Sequence, residues 1–204
     1  MVEKIRRDVR ITTIYEGTSE IMEMTISRDR WQQHLKTRGR YYHDEAAKLE
    51  TLAQHHPQCG AAQAALGLHA LAETLERCRV ARLTRHQHVL FRLGDLISRA
   101  EGAGALARRA ARRVEGTLDA RSDRRFEAES LCALSRACAR ETAHEVATQG
   151  LRWVTGSDGV GAAEAAALAT ALGLPAIQAA QAGLMADLDR VADALYERQA
   201  AAAR

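Results

Sequence analysis

Residues 61–82 read AAQAALGLHALAETLERCRVAR, and their spacing decides the fold class. Ala65, Leu68, Leu71, Leu75 and Cys78 recur every three or four positions, which puts them on one stripe of a helix. The same spacing continues downstream. From about Arg85 to Val114 the stripe is Leu90, Leu93, Ile97, Ala100, Ala107, Ala111 and Val114. From about Asp123 to Trp153 it is Leu131, Leu134, Cys138, Thr142 and Val146. Three long amphipathic helices with short connections predict an up-and-down bundle.

The flanks read the same way. Residues 1–11 look like the end of a helix that feeds a loop, and Thr18 or Ser19 is a suitable N-cap for the next one. A helical stretch then runs to about Leu52, with Ile21, Met24, Trp31, Leu35, Ala46 and Leu49 on shifting faces and Gly39 as a possible break. His55-His56-Pro57 ends it, because proline cannot continue a helix. Residues 156–161 form a loop, 162–172 a short helix, and Pro175 opens a last helix striped by Ile177, Ala180, Leu184, Leu188, Val191 and Leu195. Hydrophobic residues make up 47% of the 204, enough for a core, while 2 prolines and 4% aromatics favour helices over a sheet. No sustained period-two alternation is present, so the expected class is all-α.

Charge and cysteines narrow the function classes. The net charge is +3, from 29 basic and 26 acidic residues, which does not by itself call for a polyanion partner. The one basic cluster (Arg108, Arg109, Arg112, Arg113, Arg121, Arg124, Arg125) is interleaved with Glu115, Asp119 and Asp123 and lacks stacking aromatics, so it reads as a solvated face rather than a nucleic-acid surface. Cys59, Cys78, Cys132 and Cys138 have no paired metal spacing, and free thiols in a reducing cytoplasm fit them best. Glu141 and His144 have the Glu-x-x-His spacing of di-iron bundles, but the second motif such a site needs is missing, so no metal is expected. His55, His56, His86 and His88 fall near expected helix ends, as capping histidines do. No apolar run approaches the roughly 20 residues of a membrane span, and no signal peptide is visible.

The most specific stretch is residues 2–30, VEKIRRDVRITTIYEGTSEIMEMTISRDR. Around Ile14-Tyr15-Glu16-Gly17-Thr18-Ser19-Glu20-Ile21 a carboxylate precedes a flexible glycine, a hydroxyl follows, and a helix begins at once. A loop held by a rigid helix is a common seat for chemistry. The stretch resembles the C-terminal signature of the flavin-dependent acyl-CoA dehydrogenases. Arg7-Asp8, Arg10-Ile11, Ile14 to Thr18, Glu20-Ile21 and Arg28 fall in step with it. Residues 60–153 resemble, more faintly, the extra helical domain of the very-long-chain branch.

The resemblance implies that residues 1–54 complete the catalytic helical bundle of such an enzyme and that residues 59–204 form an appended helical domain. The chain then looks like the C-terminal piece of a larger dehydrogenase, whose other domains come from the same or a separate chain. Glu16 is implied as the base that removes the α-proton of a fatty acyl-CoA, with the β-hydride passing to FAD. Thr18, Ser19 and Glu20 would face the FAD. Tyr15, Gly17 and Arg28 would contact the substrate, with the Gly17 N–H near the thioester oxygen and Arg28 near the CoA moiety. Asp8 and Arg10 are expected to pair locally beside the loop. A homodimer and an electron-transfer flavoprotein as acceptor are further implications. Residues 156–173 fall where relatives carry a membrane-associating element, yet they contain no lysine or arginine to meet anionic lipids. The alternative is a non-catalytic helical dimerisation or interaction module, or a split-enzyme subunit, that retains the signature.

Overall fold

A computed structural model describes residues 2–119, 121–122, 126–157 and 161–196. The described residues are helical, with no strand among them. The helices are α1 (Val2–Arg10), α2 (Ser19–Lys36), α3 (Tyr41–His55), α4 (Ala61–Val80), α5 (Gln87–Val114), α6 (Ala128–Thr155), α7 (Ala162–Ala171), α8 (Leu174–Ala179) and α9 (Leu184–Leu195). Short 3-10 turns at Ile11–Thr13, Pro57–Cys59 and Leu83–Arg85 join successive elements. The expected stretch from Thr18 to Leu52 is two helices. It breaks at Arg38 (φ +54°) and Gly39 (φ +84°), where the chain reverses before α3.

Helices α4, α5 and α6 form the centre, with α2 laid on α5, α3 on α4, and α7 to α9 along α6. The stripe foreseen on α4 is buried: Leu68, Leu71, Leu75 and Cys78 face Leu93, Leu96 and Ile97 of α5 and Ala139, Ala143 and Val146 of α6 within one core. Tyr42, Ala46 and Leu49 of α3 belong to the same core, so packing is continuous across residues 55–58. Much of this interior is alanine and glycine, and small side chains let helix axes approach closely. A Cβ on Gly94 would lie 2.1 Å from the Glu23 carbonyl oxygen of α2, and one on Gly150 would lie 2.3 Å from Thr74 Oγ1 of α4.

Polar ties clamp the layers. Glu101 of α5 accepts the Tyr42 hydroxyl at 2.8 Å and the Arg30 guanidinium at 3.1 Å, joining α2, α3 and α5. The helix expected to begin at Pro175 is interrupted at residues 180–183, with Gly183 at φ +86°. Carbonyls freed by the break are taken up by Arg140 of α6, whose Nε donates to Ala180 at 2.7 Å and whose terminal nitrogen donates to Ala182 at 2.8 Å. Arg140 also pairs with Asp187 of α9, as does Arg136 through Nε at 3.0 Å. Arg140 and Asp187 are both buried, so the pair survives only because each charge is compensated. Burial disfavours the Asp187 carboxylate, but the two guanidiniums outweigh it and hold its pKa below the ordinary value.

Two predictions follow from this packing. Gly94→Ala should force α2 away from α5 and lower stability by about 1–3 kcal/mol, read from denaturant unfolding. Because the folded pKa of Asp187 is depressed, its stabilising effect is complete above the unfolded value of about 3.9 and is lost as pH falls through the folded one. Thermal melts should therefore show a drop in Tm below about pH 4. Asp187→Asn should flatten that part of the profile and cost about 3 kcal/mol at neutral pH.

Candidate functional site

The signature loop is built by two helices meeting at a reversal. After α1 and its 3-10 turn, the amides of Ile14 and Tyr15 both donate to the Ile11 carbonyl, at 3.0 and 3.1 Å. The chain then passes through two left-handed residues, Glu16 (φ +60°) and Gly17 (φ +118°). Glycine accepts this conformation freely, whereas for glutamate it is costly and uncommon. Thr18 follows in extended conformation as the N-cap of α2, its hydroxyl accepting the Ile21 amide at 3.4 Å. The capping residue foreseen in the sequence is therefore Thr18, and Ser19 opens the helix.

This sequence places six of the seven expected residues together. Tyr15, Glu16, Gly17, Thr18, Ser19 and Glu20 occupy one turn and the first residues of one helix. Arg28 lies nine residues further along α2, about 14 Å away by helix rise, and is exposed. The Glu20 carboxylate is held below the usual range by its own backbone N–H and by the Thr18 hydroxyl. Glu16 is exposed. Asp8 and Arg10 make no ion pair with each other; the pair on α1 is Arg7 with Glu3 at 3.6 Å, four residues apart and solvated.

Around the loop lies apolar surface that this fold leaves uncovered. No residue of α1 is buried. Ile5, Val9, Ile11, Ile14, Tyr15, Ile21 and Met22 are each about half exposed or more. Scattered exposed side chains are ordinary, whereas these fall in one stretch of the chain on both sides of the loop. A separate cleft of about 400 Å³ lies between α3 and α5, and its lining (Tyr41, Tyr42, Glu45, Glu101, Arg108 and neighbours) includes no loop residue.

Other polar clusters sit on the body. His34 is buried at the end of α2, its Nε2 3.1 Å from Glu76 of α4 and its ring stacked on Trp31. Arg79, then His34, keeps Glu76 deprotonated, with a pKa of about 2. Between α3 and α4, His43 Nδ1 and His69 Nδ1 approach to 2.7 Å, and His69 Nε2 lies 3.1 Å from Glu50. Sequence reading passed over this last cluster. Its trace is there in the spacing, since His43 and Glu50 are seven apart on α3 and His69 and Glu73 four apart on α4, but nothing in one dimension sets the two helices side by side.

Cys59, Cys78 and Cys132 are buried and Cys138 half-buried, all as free thiols. Among the described residues no group of three or more His, Cys, Asp or Glu side chains is placed to hold a metal, the Glu141 and His144 pair included. Arg108 pairs with Glu45 on the surface, whereas Arg113 is only 20% exposed, lies 3.6 Å from Glu127 and donates from Nε to the Phe126 carbonyl at 3.3 Å, so the cluster is only in part the solvated face expected; Asp123, Arg124 and Arg125 lie outside the described residues. Among the described residues no helix is long and apolar enough to cross a membrane. In the segment 156–173, Leu168 and Leu172 are buried against the body, and residues 158–160 lie outside the described residues. No protein-family model matches the chain, and neither a curated protein nor a solved structure does.

Thr18→Ala should remove the N-cap and lower local stability at the start of α2 by about 0.5–1 kcal/mol, seen as faster amide exchange at Ile21 with the core amides unchanged.

Proposed function

We propose that this chain is the C-terminal part of a flavoprotein oxidoreductase that dehydrogenates a fatty acyl-CoA to the trans-2-enoyl-CoA, with Glu16 as the base. The observation that carries the reading is the geometry of Glu16 itself. A non-glycine residue is held in the left-handed region at the mouth of α2, with uncovered apolar surface on either side. Arg38 and Arg82 take the same conformation where helices end, so at Glu16 it supports the reading only together with the signature residues around it. The signature residues Ile14 to Ile21 supply the chemistry that the geometry would serve.

In this reading the uncovered face of α1 and the loop meet the remaining domains of the dehydrogenase, in the same or a separate chain. That contact desolvates Glu16 and raises its basicity toward neutrality. The Glu16 carboxylate takes the α-proton. The Gly17 N–H faces the thioester oxygen, where negative charge develops as the proton leaves. Tyr15 lines the acyl side of the loop, and Arg28 neutralises an anionic part of CoA further along α2. Bound FAD supplies the acceptor for the hydride that leaves the β-carbon. Thr18 and Ser19 fit as one edge of its site, because both carry hydroxyls at the start of α2, with Ser19 exposed. Glu20 would extend that edge. They form one wall only, so the rest of the flavin pocket comes from elsewhere. An electron-transfer flavoprotein would reoxidise the flavin, and the appended helices would leave a homodimer as the assembly.

The half-exposed apolar run also favours a second reading, a non-catalytic interaction module that keeps the loop by descent. The two part on a simple test. Protein isolated from its own source is examined for mass, visible absorbance and acyl-CoA-dependent reduction of an artificial electron acceptor. The catalytic reading expects a yellow enzyme in which Glu16→Gln retains flavin and acyl-CoA binding and loses about 10²–10⁴-fold in kcat. Near-normal turnover in that variant removes Glu16 as the base. A colourless protein of this chain's own mass favours the interaction module.

A further inference from the structure

The turn from α4 into α5 and the last turn of α6 enclose a cleft of about 680 Å³. Its lining joins the buried side chains of Leu83 and Val89 to His86, His88, Arg152 and Trp153. The last three of these also line an adjoining cleft of about 340 Å³, so the two clefts share a wall. Among the described residues no carboxylate lines the larger cleft. Elsewhere the body pairs its guanidiniums with carboxylates: Arg30 with Glu101, Arg79 with Glu76, Arg99 with Asp95 and Arg108 with Glu45. Arg152 has no such partner among the described residues, and His86 and His88 are exposed in the same lining.

Trp153 is held differently. It is half-buried and packed against the core at the end of α6, yet it lines both clefts. An indole fixed by packing on one side and open on the other offers a stacking surface at little further cost in side-chain entropy. A small inorganic anion would use the arginine and histidines and leave the tryptophan and the Leu83 and Val89 floor idle. A purely apolar molecule would do the reverse. A ligand that uses the whole lining carries a flat ring and an anionic group together.

We infer that this cleft binds a nucleotide, its base stacked on Trp153 and its phosphates held by Arg152 with His86 and His88 beside them. Bases stack on aromatic side chains whatever their sequence identity, because every base has a π-face. A guanidinium takes a phosphate through parallel N–H bonds, and an arginine without a carboxylate partner has those donors available. The cleft is of the size that small-molecule sites have, about 300–1,000 Å³. Its lining contains no residue of the loop from Ile14 to Ile21, so the inference does not rest on the reaction proposed above.

The test is calorimetry on the full chain with ADP, adenosine and pyrophosphate. Expected is one saturable equivalent of ADP, bound at least about tenfold tighter than adenosine or pyrophosphate, since each of those supplies only half of the contacts. Arg152→Gln should weaken ADP by about tenfold or more and leave adenosine unchanged. Trp153→Leu should weaken ADP and adenosine alike, by about tenfold, and leave pyrophosphate unchanged. The other tryptophan is Trp31, so Trp31→Phe leaves Trp153 as the sole reporter, and ADP should quench its fluorescence saturably. Arg152 is exposed, so its variant keeps the fold even where Trp153→Leu loosens the core. Absence of a saturable ADP equivalent, pyrophosphate bound as tightly as ADP, or unchanged ADP affinity in Arg152→Gln overturns the site.

Discussion

The close approach of α4, α5 and α6 is the constraint on which the rest of the fold depends. Gly67 lies so near α6 that an added Cβ would meet Ala143 at 3.4 Å, and Gly150 leaves space that the Thr74 side chain fills. Alanine and glycine at these crossings bring the helices into contact over most of their length. Leucine, isoleucine and valine from each then fill the spaces between. A core made this way has little slack, because interiors pack at crystal-like density and absorb added volume poorly. Helices α2 and α3 occupy the outer grooves, and α2 is seated on α5 by the missing side chain of Gly94.

Polar groups are used sparingly inside this body, and where they occur they close ends or join layers. Arg140 is the clearest case. One guanidinium accepts no hydrogen bond of its own yet satisfies two carbonyls left by the break before α9 and the buried carboxylate that follows. The break is possible because Arg140 stands where a continuing helix would have used its own amides. Glu101 does the same work between α2, α3 and α5 through Tyr42 and Arg30. Each of these groups has fixed partners at several points, so each specifies one arrangement of the helices around it.

The loop at Glu16 contrasts with this body in every respect. The body has a buried apolar core and pairs the buried charges of Arg140 and Asp187; α1 and the loop have apolar side chains outside and bury nothing. The loop is nevertheless shaped, with two left-handed residues and a capped helix behind it. Local geometry without local burial is what a surface needs if its environment is completed by another surface. Under the proposed function that environment raises the basicity of Glu16 and excludes water from the acyl site, two effects that a solvated carboxylate cannot supply alone.

Helix identity was readable along the chain because an amphipathic stripe is a property of spacing. The stripes on α4, α5 and α6 became the core except at Val114, which is exposed at the end of α5, and at Leu90, Leu134 and Cys138, which are half-buried; the break at Gly39 and the stop at Pro57 were marked by residues with a backbone reason, and Thr18 capped α2. The single last helix was misread. Its apolar stripe does continue in step through residues 177–195, and only Arg140, 40 residues earlier in the chain, shows why the helix opens at 180–183. The loop residues from Tyr15 to Glu20 were legible because they are consecutive. The facing histidines were not, because His43 and His69 are 26 residues apart and become neighbours only when α3 lies against α4. The sequence by itself thus determined which segments are helices, which face of each is apolar and where the signature loop stands, since these depend on residues within a few turns. Tertiary structure alone decided which helices touch, where the last one breaks and which charges meet, since those depend on pairs that only packing brings together.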